Sequence, residues 1–275
     1  MAVLKRDAPP RDAKSSDADS SPLARVMREF EELVRTFETG LLRSLDAPGN
    51  DDLDSACRED VRREACRLAI SDLSNTYTRK HIRRSLNAAE SEGKRVEEQL
   101  HNLTLRGGGG ADDDDDEHLG SLHNGYFRLY STELFDLLGQ PTDLRFGSLR
   151  FHKHHASPEA DTLPQDAQST WVNVELALNN SFFVADSMET LPYHTFRLPS
   201  TPSLQNRGIL SRKAEDGGAF PDFDSWLLFT FLGNGCIKLE VPIEMCADVY
   251  GDRLRGRENE EVLFWGFFVD DDIDS

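Results

Sequence analysis

The stretch L227-LFTFLGNGCIKLE-V241 decides how the second half of the chain is read. Leu227, Phe229 and Phe231 fall at every second position, and so do Ile237, Leu239 and Val241, with Lys238 and Glu240 between them. Successive side chains of a strand point to opposite faces, so a period of two marks a strand with one covered face. Asn234-Gly235 lies between the runs, and that dipeptide tolerates the positive φ angles a tight hairpin turn needs. The segment reads as two antiparallel strands.

The same period spreads outward from it. Val172, Val174, Leu176 and Leu178 alternate with Asn173 and Glu175, and Val262 to Val269 is apolar almost throughout, as a core strand would be. Shorter strand candidates lie at Leu144–His155, Phe182–Ala185 and His194–Leu198. Thr132–Leu138 reads as a short helix stopped by Gly139 and Pro141, and residues 199–225 read as a long loop. Six or more short antiparallel strands predict a sandwich or an open barrel over residues 121–270.

Upstream the period changes. Ser21-Pro22 has the form of an N-cap and first helical residue. Leu23, Val26, Met27, Phe30, Val34, Phe37, Leu41 and Leu45 follow at helical spacing. Proline and glycine in D46-APGNDD-52 stop that helix. A second carries Val61, Ala65, Leu68, Leu73, Tyr77, Ile82 and Leu86, pauses at Gly93 and resumes with Val96, Leu100 and Leu103. Two such helices over residues 21–105 predict an antiparallel helical hairpin. The fold class expected is therefore α+β.

Composition supports the division. The chain has 16 phenylalanines, 5 tyrosines and 3 tryptophans, of which only Phe30, Phe37 and Tyr77 precede residue 110. Between the halves, residues 106–120 hold GGGG and DDDDD, whose backbone freedom and self-repulsion suit a solvated linker. Residues 1–20 are expected to be a disordered tail and 271–275 an acidic one. At 38% hydrophobic and 29% charged, the 275 residues can bury a core, which excludes wholesale disorder.

Several function classes recede on charge and motif. A net charge of −19 repels phosphate backbones and anionic lipid, so nucleic-acid or membrane binding would need a segregated basic patch. No apolar run is long enough to span a bilayer, and the N-terminus lacks a secretory pattern, so an intracellular protein of cytoplasm or nucleus is expected. Cys57, Cys66, Cys236 and Cys246 form no C-x-x-C pair, which points to buried free thiols. Phosphate-loop, dinucleotide, nucleophile-elbow and zincin signatures are all missing, and no cofactor is expected.

Three residue sets remain. His152-x-His154 with Glu159 and His194 resembles, in part, the cupin metal motif, which would imply a metal-dependent β-barrel enzyme. It departs from that motif in lacking the glycine after the glutamate and the proline–glycine turn before the last histidine. Strand alternation also opposes it: with Leu149 and Phe151 facing the core, Arg150, His152 and His154 face water. Arg79, Lys80, Arg83 and Arg84 form the one basic cluster that could contact phosphate, although stacking aromatics are missing and acidic residues are interspersed along the helix. The third set is the apolar stripe with Leu23, Phe30, Phe37 and Leu41 as anchors. Two helices cannot cover both their stripes unaided, so this set predicts contact with the chain's own C-terminal domain, with a second copy or with another protein. The leading expectation is a non-enzymatic subunit or adaptor of a protein complex.

Overall fold

The computed structural model describes residues 21–45, 55–105, 119, 122–144, 147–153, 171–187, 196–213, 225–257 and 259–271. The expected tails and linker lie outside these, apart from Leu119 and Asp271. Helices come first, α1 (Pro22–Leu45) and α2 (Ser55–Leu105), and a barrel follows. Two compact units result, residues 1–78 and 79–275, and the division falls inside α2.

In the first unit, Ser21 Oγ accepts from the Ala24 N–H at 3.1 Å and caps α1. Val34 is buried against Ala65 and Ala69 of α2. Those alanines, four apart on one face, let the helices approach closely. The Tyr77 hydroxyl donates to Glu29 at 3.0 Å and adds a polar tie beside the apolar one.

In the second unit eight strands pair strictly in chain order. They are β1 (Gly125–Tyr130), β2 (Gly147–Lys153), β3 (Val172–Leu178), β4 (Ser181–Asp186), β5 (Arg207–Lys213), β6 (Ser225–Gly233), β7 (Cys236–Pro242) and β8 (Glu261–Asp270). Every neighbouring pair is antiparallel and β8 returns to β1, so the sheet is a closed barrel with no free edge. A sandwich or an open barrel, as the sequence suggested, would have kept its edges. The turn at Asn234-Gly235 has φ values of 51° and 65°, the two left-handed residues that join β6 to β7.

Two helices close one end of the barrel. α3 (Thr132–Leu137) connects β1 to β2, capped by Ser131 Oγ accepting from the Leu134 N–H at 3.0 Å. α4 (Ile243–Tyr250) connects β7 to β8. Leu134, Ile243, Met245 and Cys246 seal the end with buried side chains. The inside is filled by rings: Phe151 lies 6.0 Å from Phe127 and 5.8 Å from both Phe229 and Phe231.

The sequence reading is corrected at three places. Residues 199–225 are not all loop, because β5 lies within them. Phe196–Leu198, the described part of the strand expected at His194–Leu198, form none; Phe196 is buried instead as a plug, 5.6 Å from Phe229. Gly93 does not interrupt α2, which runs through it as one helix. It is buried beneath the Trp265 ring, where a Cβ would stand 2.1 Å from Trp265 Cε3. From residue 79 on, α2 lies over the outward faces of β6, β7, β8 and β1: Val96 packs with Leu232, Cys236 and Trp265, and Ile82 and Leu86 pack with Phe135 and Tyr130. Val262–Val269 is apolar on both faces for that reason.

Candidate functional site

The four stripe residues separate into two situations. Phe30, Phe37 and Leu41 pack, half-buried, around Val34, Ala65, Ala69 and Cys66. Leu23 stands outside this cluster with 71% of its surface exposed, and Met27 and Leu45 are exposed as well. The stripe 23, 27, 30, 34, 37, 41 steps by four and three, the spacing of a coiled-coil seam. It is therefore covered in the middle and open at both ends. On α2, Ile70 is a further exposed apolar side chain of the same unit.

The histidine set is seen only in part. His154, Glu159 and His194 lie outside the described residues. His152 is on the outer wall of the barrel, opposite in direction to the buried Leu149 and Phe151, as alternation requires. Its Nε2 is 3.8 Å from Glu175 on the neighbouring strand, and Arg150 beside it is paired with Asp271 at 2.7 Å. Among the described residues no group of three or more histidines, cysteines or acids is placed to hold an ion. His152 does border a groove of about 420 Å³ that Asn173, Glu175, Asp186 and Arg212 also line. It lies where β4 and β5 part, since they pair only at Phe183 with Lys213 and Val184 with Arg212. The outward parity of Asn173 and Glu175 was visible in the sequence; their meeting with Arg212 was not.

Two members of the basic set are engaged within the protein. Arg83 makes a two-pronged ion pair with Asp136 of α3, at 2.7 Å for one prong, and its guanidinium lies 5.1 Å from the centre of the Phe135 ring. The guanidinium holds the Asp136 carboxyl below its usual range. Arg79 donates from Nε to the Gln140 carbonyl at 3.0 Å. Lys80 and Arg84 are exposed. Two of the four side chains thus fasten α2 to the loop and helix between β1 and β2.

Two of the described thiols, Cys236 and Cys246, are buried and poor nucleophiles. Burial pushes Cys236 and Cys246 up to about 12, so neither is a thiolate near neutral pH. No helix among the described residues is long and apolar enough to cross a membrane. Comparison with protein-family models, with curated proteins and with solved structures returns no match.

Proposed function

We propose that the chain is a non-enzymatic subunit or adaptor of a protein complex, and that it docks through a helical hairpin formed by α1 and the first half of α2. The observation that carries this reading is the open-ended seam: Leu23 and Met27 continue the line of Phe30, Val34 and Phe37, yet only Val34 among them is buried. Fully covering a side chain of that size is worth about 1.5–3 kcal/mol, which an isolated chain forgoes.

The occupant proposed is a second copy of the same chain. Charge favours it. α1 carries Arg25, Arg28, Arg35 and Arg43 against Glu29, Glu31, Glu32 and Glu38. Residues 55–78 carry Arg58, Arg62, Arg63 and Arg67 against Glu59, Asp60, Glu64 and Asp72. Both segments are neutral in a chain of −19, so this is the region where like copies meet without repulsion. The barrel then supplies a separate surface on each copy.

Light scattering of the full chain over a concentration series tests it. A dimer is expected, and Leu23→Glu with Met27→Glu is expected to return a monomer of unchanged circular dichroism. A parent chain that stays monomeric at about 100 µM overturns the proposal, as does a dimer that the paired substitution leaves intact.

A further inference from the structure

Four segments far apart in sequence converge at the barrel end closed by α3 and α4. They are Arg79 of α2, the loop 138–144 after α3, Asn179 in the β3–β4 turn, and Tyr250 and Arg253 at and after the end of α4. Together they line a groove of about 450 Å³. Gly139, at φ 73°, turns the chain here in a conformation that favours glycine, and the Arg253 guanidinium lies close against it, 2.7 Å from where a Cβ would stand.

Both arginines are held by carbonyl oxygens alone. Arg253 donates to the Leu138 carbonyl and Arg79 to that of Gln140. Neither has a carboxylate partner among the described residues, although the chain carries 50 acidic residues against 31 basic ones. A guanidinium has five N–H donors, so each keeps most of its donors after its carbonyl bond. Tyr250 and Asn179 line the same groove, and neither the hydroxyl nor the carboxamide has a hydrogen-bond partner among the described residues. Burial pushes the Tyr250 hydroxyl above its ordinary value, which keeps it protonated as a donor.

We propose that this groove binds a small phosphomonoester. Arg79 and Arg253 take the phosphate oxygens, the Tyr250 hydroxyl and the Asn179 amide donate to them, and Asp143 at the rim accepts from a hydroxyl of the ligand. Two guanidiniums match the charge of a phosphate dianion better than that of a single carboxylate, and their forked donors fit its oxygens. A polymer is disfavoured, because the site is one groove among loops on a strongly acidic chain. The inference is independent of how the helical unit docks.

Calorimetric titration of the full chain at low salt tests it, with glucose 6-phosphate as the probe and with glucose and sodium acetate as controls. Saturable binding of one glucose 6-phosphate per chain is expected, with acetate and glucose each weaker by at least about tenfold. Arg79→Gln, whose side chain is exposed, is expected to weaken the probe about tenfold or more. Arg253→Lys keeps the charge but loses the fork, and a weakening of similar order is expected. Thermal unfolding of each variant separates loss of the site from loss of the fold. Absence of saturable binding up to about 10 mM overturns the proposal, and so does equal affinity in the parent and in both folded variants.

Discussion

Replacing Gly93 by alanine sets two effects of opposite sign against each other. In a helix interior alanine is favoured over glycine by about 1 kcal/mol, so a Gly93 that merely sat in α2 would give a more stable variant. The new Cβ, however, falls 2.1, 2.4 and 2.8 Å from three atoms of the Trp265 ring. Carbon atoms in contact rest about 3.5–4.0 Å apart, so ring or helix must retreat by about 1.4 Å. Trp265 is 2% exposed and packed with Val96, Leu232 and Cys236, which leaves it little room. Overpacking of this kind costs about 1–3 kcal/mol, and three simultaneous overlaps place it toward the upper end. The expected net loss is about 2 kcal/mol. Urea unfolding followed by tryptophan fluorescence is the assay, because Trp171, Trp226 and Trp265 all lie in the unit that contains the barrel. In a Trp265→Leu background the overlap is gone and the propensity gain of up to about 1 kcal/mol should surface, reversing the sign. A Gly93→Ala chain at least as stable as the parent, or the same loss in both backgrounds, refutes the notch.

The ring cluster predicts a contrast: Phe151→Ala, at 1% exposure, should cost about 3–5 kcal/mol, whereas Phe182→Ala on the outer wall should change stability by less than about 0.5 kcal/mol, both read from the urea midpoint. His123 is held below its ordinary value of 6.5 mainly by burial, partly offset by its contact with the Phe151 carbonyl. The unfolded chain therefore binds that proton first as pH falls below 6.5, so stability declines on acidification from there and is indifferent above it. His123→Gln should flatten the dependence in that window, and an unchanged slope would show that His123 is not its source. Asp136, lowered by Arg83, adds a similar decline only below the carboxylate range.

What was legible in the sequence depended on how many faces of each element are covered. β3 has one buried face and one polar face, so Val172 to Leu178 alternate plainly. β1 has Phe127 and Leu129 inside, while Tyr130 outside lies against Ile82 and Leu86, which erases any period in GYFRLY. β5 fails for the opposite reason. Its inward Ser211 is buried because its hydroxyl donates to the Ser225 carbonyl at 3.0 Å, so a polar residue occupies a core position. Gly93 reads as a pause because a glycine in sequence carries no record of the ring lodged against it. Of the candidate sites, the α1 stripe was visible because it lies on one helix. The groove around Arg79 and Arg253 was not, because spacing along the chain says nothing about loops that meet only after the barrel closes.

The meeting of β8 with β1 has a consequence for how the molecule comes together. Seven of the eight ladders join consecutive strands and can zip up locally, whereas this one joins Gly125 to Asp270 and must wait for everything between. The Asp271 amide donates to the Asn124 carbonyl at 3.1 Å, so the first and last turns of the ring end side by side. Val96 lies against Trp265 of β8, and Ile82 and Leu86 lie against Tyr130 of β1, so the helix that precedes the barrel in sequence spans the seam that closes last.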